Sequence, residues 1–258
     1  MDTLIRKISA ILQNGKIENF RQEARWIAEE TADSDNALSL AEQRAAGVPL
    51  QYLLGTAPFR NLMLKVDSRV LIPRPETELL AQWLIDRAPA GGTVLDLGCG
   101  SGAIALSVAS ERKDLHLTAA DISRDALDVA GENAVLCGIK NVEFILSDIF
   151  SGLSGRKFDL IGANLPYVTN EEFPDLPAEV RDHEPRLALT APDAGLALIK
   201  RCISQVSDHL NPGGGVIFEL SPPQAEETAE LLTGCGLTSV IIKDLCGRNR
   251  FVSGVLPK

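Results

Sequence analysis

Three groups of residues are of types that could do chemistry together. The first is Asp96-Leu97-Gly98-Cys99-Gly100-Ser101-Gly102-Ala103, where glycines alternate with small or polar residues after an apolar run. Glycines at this spacing permit a sharp turn and let the backbone approach a ligand, and a helix opening behind them offers unpaired N–H groups. The second is Asp121, 19 residues after Gly102 at the end of the next apolar run. A carboxylate at that place can accept from both hydroxyls of a ribose. Loop and acid together predict a nucleoside-bearing cofactor, held by Gly98, Cys99, Gly100, Ser101, Gly102 and Asp121. The third group is Asn164-Leu165-Pro166-Tyr167, which closes the apolar run 158–163.

The tetrapeptide suits one kind of reaction. An amide or aromatic amine is a poor methyl acceptor because its lone pair is delocalised. A site helps by holding both N–H hydrogens on acceptors, which aims the lone pair at an incoming methyl group. Asn164 Oδ1 can be one acceptor and a backbone carbonyl within Leu165-Pro166 the other. Pro166 brings no competing N–H and holds Leu165 extended. Tyr167 offers a flat wall to a planar group. Asn164, Pro166 and Tyr167 are thus the candidate catalytic residues, and Asn164, Leu165, Pro166 and Tyr167 the candidate substrate contacts. Plainer readings stand beside these: a tight strand-to-helix turn with an ordinary Asp, and a strand ending in a proline turn. The glycine loop by itself also leaves the cofactor open, since Gly98, Gly100 and Ala103 satisfy the dinucleotide pattern G-x-G-x-x-G/A.

These residues need a scaffold, and the pattern of the chain predicts one. From residue 92 onward strand and helix alternate: strands at 93–99, 117–121, 142–148, 158–164 and 214–220, with helices between them. Ser123 is the expected N-cap of the second helix and Gly138 its stop. Such alternation means a doubly wound parallel sheet. The last two strands, 237–245 and 250–256, are joined by Cys246-Gly247-Arg248-Asn249, too short for a crossover, so they pair antiparallel. The expected fold is α/β, with seven strands and helices on both faces.

Residues 91–258 make this domain. Residues 1–48 read as three short helices, with apolar stripes on Leu4, Ile5, Ile8, Ile11 and Leu12, then Phe20, Ala24, Ile27 and Ala28, then Leu38, Ala41 and Ala45. The polar cluster 33–36 is read as the end of the second helix, and Gly47 and Pro49 as the end of the third. Residues 49–90 read as a hairpin, with Leu62, Leu64 and Val66 on one face, and a linker helix opened by Pro75.

Charge and composition narrow the partners. Net charge is −10, and it is uneven: residues 1–90 carry 11 Lys/Arg against 12 Asp/Glu, residues 91–258 carry 14 against 23. An acidic second part disfavours a phosphate backbone as partner. The five cysteines are scattered without CxxC spacing and the three histidines make no ligand pattern, so reduced thiols and no metal are expected. The N-terminus has charges among its apolar residues and reads as an amphipathic helix, not a signal peptide. A cytoplasmic protein, off the membrane and working as a monomer, is the expectation.

The Asp96-to-Gly102 form D-x-G-x-G-x-G, and a seven-stranded sheet ending in an antiparallel pair, resemble S-adenosylmethionine-dependent methyltransferases of Rossmann-like fold. That resemblance implies that Asp148 and Ile149 flank the adenine, and that Asn164 reaches the cofactor. The tetrapeptide resembles the [ND]PP[YFW] motif of methyltransferases acting on planar NH₂ groups. Further motifs, "GVPLQYLLG" at 47–55, "VLIPRPETELL" at 70–80, "SDIF" at 147–150, "EPRLAL" at 184–189, "NPGGGVIFEL" at 211–220 and "KDLCGRNRFVSG" at 243–254, are similar to one branch. The branch is the peptide chain release factor glutamine N5-methyltransferases of the HemK/PrmC type. Membership implies methylation of the glutamine of a release factor's Gly-Gly-Gln motif, with S-adenosylmethionine converted to S-adenosylhomocysteine. It also makes residues 1–48 a release-factor-binding domain. Leu165 departs from the family's proline, and Asn-Leu-Pro-Tyr also resembles adenine-N6 methyltransferases of nucleic acid, the alternative reading. A non-catalytic cofactor-binding module is a third.

The long connection 168–195 leaves directly from the tetrapeptide. It carries Glu171, Glu172, Asp175, Glu179, Asp182, Glu184 and Asp193 against Arg181 and Arg186. It is expected to border the pocket and to steer a basic partner.

Overall fold

The computed structural model describes residues 2–258. Helices α1 (Asp2–Asn14), α2 (Phe20–Glu30) and α3 (Ser34–Ala45) pack around Ile8, Leu12, Ala24, Ile27, Ala28, Ala37 and Ala41, joined by Leu50. The cluster 33–36 begins α3 as well as following α2. Asp33 is its N-cap, accepting from the N–H groups of Asp35 and Asn36. Residues 50–54 form a short helix α4 (Leu50–Leu54) ahead of the hairpin β1 (Thr56–Phe59) and β2 (Leu62–Lys65). Helix α5 runs over Thr77–Arg87, two residues later than Pro75 suggested, because Arg74 to Glu76 form tight turns first.

The main sheet contains β3 (Thr93–Leu97), β4 (His116–Asp121), β5 (Val142–Leu146), β6 (Phe158–Ala163), β7 (Leu210–Glu219), β8 (Thr238–Lys243) and β9 (Asn249–Val255). Its order is β5-β4-β3-β6-β7-β9-β8, with β9 antiparallel to both neighbours and every other pairing parallel. Helices α6 (Ala103–Glu111) and α7 (Arg124–Leu136) join α5 on one face, while α9 (Ala197–Val206) and α10 (Ala225–Gly234) cover the other. The short α8 (Ala178–Arg181) lies in the long connection after β6. Ser123 caps α7 as expected, accepting from Ala126 N.

Strand order reverses between β3 and β6, which opens a crevice beyond their carboxyl ends, where ligands bind in open α/β sheets. The glycine loop follows β3, Asn164–Tyr167 follow β6, and Asp121 ends the adjacent β4. Asn133 of α7, fully buried, fastens the surroundings: its Oδ1 accepts from Lys65 N of the hairpin, and its Nδ2 donates to the carbonyls of Lys65 and Ser101. One amide thereby ties the hairpin to the glycine loop. Among the described residues no helix is long and apolar enough to cross a membrane.

Candidate active site at the carboxyl ends of the strands

The glycine loop is folded back on β4, with the N–H groups of Gly98 and Cys99 both donating to Ala120 O. Gly100 has φ +53, and a Cβ there would meet nothing within 4 Å, so its backbone faces open space. Its N–H donates to Asp121 Oδ2 at 2.9 Å, and Ser123 N donates to Oδ1 at the same distance. The Asp121 carboxylate is thus held rigidly at the strand end, with lone pairs left over. Burial pushes its carboxyl up, against the backbone bonds that favour the charge.

Beneath the loop, Asp96 is wholly buried. Its Oδ2 accepts from Ala105 N, and its Oδ1 has no partner among the described residues. Burial, with Asp121's charge added, pushes it up to about 7. Cys99 is buried too, and its thiol is raised well above the ordinary value by burial, which makes it an apolar wall rather than a nucleophile.

A cavity of about 460 Å³ opens over this loop. Gly98, Cys99, Gly100, Ser101, Asp121, Asp148, Ile149, Asn164, Leu165 and Pro166 all border it. Gly102 lies behind that lining. A Cβ on Gly102 would lie 3.0 Å from Leu106 Cδ1 and 3.1 Å from Ala130 Cβ, so this glycine lets α6 and α7 approach each other. Asp148 is ion-paired with Arg201 at 2.8 Å, on the rim. Ile149 has φ +52, a conformation that costs a β-branched residue about 1–3 kcal/mol. Its carbonyl accepts from Ser147 Oγ, which also accepts from Gly152 N, and this local net turns the Ile149 side chain onto the cavity.

A second chamber of about 280 Å³ adjoins the first. Leu71, Arg74, Asn164, Leu165 and Ala188 border both, and Tyr167 borders only the second. Asn164 therefore stands at the partition. Its Nδ2 donates to Thr77 Oγ1 at 3.1 Å, and Thr77 Oγ1 donates to Glu219 Oε2 at 2.7 Å. With the amide nitrogen engaged, Oδ1 has no hydrogen-bond partner among the described residues. Leu165 is buried in the core against the glycine loop, with its Cδ2 3.0 Å from where a Cβ on Gly98 would lie. The leucine that replaces the family's proline thereby anchors the segment. The Tyr167 carbonyl is occupied by Gln224 Nε2 at 2.9 Å, whereas those of Leu165 and Pro166 accept no hydrogen bond among the described residues. Burial, then the Glu219 charge, pushes the Tyr167 hydroxyl up to about 12, so it stays neutral.

Thr77, Glu219 and Arg74 were not singled out from residue type or spacing, although each falls inside a quoted motif. Arg74 lies on both chambers and is held by buried Glu184, Nη2 to Oε1 at 2.6 Å; the other Glu184 oxygen accepts from Ile72 N. The long connection contributes Leu176, Val180, Ala188 and Leu189 to the smaller chamber, so it does border the site.

Comparison with known proteins agrees with this geometry. The Methyltransferase small domain family matches residues 75–178. The chain is 41% identical over 216 residues to the release factor glutamine methyltransferase of Streptococcus pneumoniae, covering 82% of this chain and 76% of that one. It is 39% identical to the release factor glutamine methyltransferase of Deinococcus radiodurans, with the same coverage. A methyltransferase from Pyrococcus furiosus has the same fold, with a TM-score of 0.57 over 76% of this chain and 89% of that one, at 19% identity. With two-chambered geometry, fold and relatives in agreement, the chain belongs to the release factor glutamine methyltransferase family.

Proposed function

We propose that this protein transfers a methyl group from S-adenosylmethionine to the side-chain amide nitrogen of the glutamine in a release factor's Gly-Gly-Gln motif. The relatives' shared name supports the substrate, and the two chambers support the reaction. The larger one fits a nucleoside cofactor, because an open left-handed glycine faces it and a rigid carboxylate stands at the neighbouring strand end. Gly98 to Ser101 and Asp121 would hold that cofactor, with Asp148 and Ile149 at the far wall. It supplies an electrophilic methyl group on a sulfonium.

The chain's own residues hold the acceptor. Asn164 Oδ1 takes one amide N–H, and a carbonyl of Leu165 or Pro166 takes the other. Both hydrogens then lie in a fixed plane, and the lone pair stands across it toward the larger chamber. Tyr167, neutral and half-buried, walls the smaller chamber where the planar amide sits. No side chain is needed as a base, since the surplus amide proton passes to water. The place of work is the cytoplasm, where release factors act.

The observation that carries this reading is the position of Asn164 on the partition, with its nitrogen tied and its oxygen free. Mass spectrometry of a release factor incubated with enzyme and cofactor tests it. One added methyl on the Gly-Gly-Gln glutamine is expected. A methyl elsewhere, or on RNA alone, would overturn it.

A further inference from the structure

The two ends of a carboxamide are alike in shape, so packing cannot choose which of them faces a substrate. Hydrogen-bond polarity must choose. At Asn164 the choice is made by residues outside the tetrapeptide. Thr77 has one hydroxyl proton, and it goes to Glu219 Oε2 at 2.7 Å. What Thr77 has left for Asn164 is a lone pair, and Asn164 Nδ2 donates to it at 3.1 Å. An ionised carboxylate only accepts, so Glu219 fixes the direction of the whole chain of bonds. Thr77 and Glu219 are both buried, with Thr77 at the wall of the larger chamber.

We propose that Thr77 and Glu219 are positioning residues that hold the Asn164 oxygen, and not its nitrogen, toward the acceptor amide. The proposal rests on the reading above and deepens it. Reversal of the amide would set two N–H donors against each other at the reacting nitrogen. A protonated Glu219 permits that reversal, because it can donate to Thr77 Oγ1 and free the Thr77 proton for Asn164.

The relay switches near neutral pH and is set above it. Burial first of all pushes Glu219 up to about 7; Thr77's bond, Arg250 of β9 and Arg74 ahead of α5 pull it down, and Glu76 pushes it up. Tyr167 faces it as a neutral hydroxyl, and Asp244 stands behind Arg250 at 3.9 Å. As pH falls through that region, Glu219 gains its proton, the direction of the relay is lost and turnover falls.

The test uses full-length Thr77→Val, Thr77→Ser and Glu219→Gln. Thr77→Val should lower kcat about 10- to 100-fold, with KM for the release factor and Kd for S-adenosylhomocysteine within about threefold of wild type. Thr77→Ser, which restores a hydroxyl, should recover most of the loss. Glu219→Gln cannot titrate, so the acid-side fall in kcat should disappear. In the ligand-free protein, the Asn164 side-chain ¹⁵NH₂ signals should shift with pH in wild type and stay fixed in Glu219→Gln. Wild-type kcat in a folded Thr77→Val, or an unchanged acid limb in Glu219→Gln, overturns the relay. If Thr77→Val does not fold, the Glu219→Gln pH profile and the nuclear resonance titration decide alone. Failure of the wild type to methylate a release factor would overturn the parent reading instead, and the resonance titration would still judge the relay.

Discussion

Arg44 on α3 and Glu179 on α8 are joined Nη1 to Oε2 at 2.7 Å, and Val180, the next residue along, borders the acceptor chamber. The same guanidinium holds Glu23 of α2 at 2.7 Å and donates to Val48 O at 3.2 Å. A single buried cation therefore ties the N-terminal bundle to the wall of the site. Arg44→Met should cost about 3–5 kcal/mol, because it strands the buried Glu23 carboxylate. Glu179 is half-exposed, so Glu179→Gln should cost at most about 1 kcal/mol. Thermal unfolding of the two variants separates these outcomes; equal small shifts would mean that the buried pair contributes little.

Asp121→Ala should raise the cofactor Kd by roughly 10- to 100-fold. Ribose bonds are lost, and the N–H groups of Gly100 and Ser123 lose the acceptor that shapes the loop. Asp121→Asn keeps one acceptor oxygen and should fall between wild type and alanine. Calorimetry with S-adenosylhomocysteine ranks the three, and unchanged affinity in the alanine variant would move the ribose elsewhere.

Asn164→Ala should lower turnover about 10²-fold or more, as expected for one preorganised polar group lost at the reacting atom. Cofactor affinity should change only a few-fold, since the glycine loop and Asp121 remain. Single-turnover kinetics with saturating cofactor measures the chemical step directly. Turnover within a few-fold of wild type would remove Asn164 from the role given to it here.

The chemistry of the site was legible in the sequence where one local segment carries it. Glycine spacing, the acid at the next strand end and the tetrapeptide each lie within a few residues, and alternation placed them at the same edge of the sheet. Contacts between distant segments were not legible. Thr77 lies 87 residues from Asn164 and 142 from Glu219, its two partners in the relay, and neither Thr77 nor Glu219 announces a role by its type alone. Nothing local to α3 marks Arg44 as a buried residue; it is buried because Glu23 and Glu179 neutralise it. At Gly102 the packing of α6 on α7, which the glycine spacing alone does not reveal, also demands the absence of a side chain.

Stability should fall as pH rises from about 4 to about 7. Burial lifts both Asp96 and Glu219 to about 7 in the folded chain, above the usual carboxylate range. Folding therefore favours their protonated forms. That contribution is fully present below the ordinary carboxylate range and is lost as pH climbs through the folded value, at up to about 1.4 kcal/mol per unit for each group. Carboxylates held low by partners, such as Asp159 and Asp244, work in the opposite sense at more acid pH. Melting temperatures of the ligand-free protein should peak near pH 4, and Asp96→Asn should flatten the slope above it. A curve that rises steadily to pH 8 would mean that neither group is lifted.

The acidic connection after the tetrapeptide carries less free charge than its composition suggests. Of its seven carboxylates, Glu179 pairs with Arg44, Asp182 with Arg181, Glu184 with Arg74 and Asp193 with Lys200. Glu172 accepts from Thr169 N and its own N–H donates to Thr169 Oγ1, so it serves the local turn. Glu171 and Asp175, both exposed, make no ion pair among the described residues. They are the charges left to draw in a basic partner, and a release factor loop that works against RNA is expected to be basic. Glu171→Lys with Asp175→Lys alters the local charge by four units without touching a chamber wall. It should lower kcat/KM for the release factor about tenfold at low salt, chiefly through slower association, with kcat unchanged. The deficit should shrink as ionic strength rises past about 0.1 M, where the screening length is about 10 Å. Stopped-flow association at several salt concentrations checks it. If the double variant associates as fast as wild type in the lowest salt, the connection is a solvated surface and docking depends on shape alone.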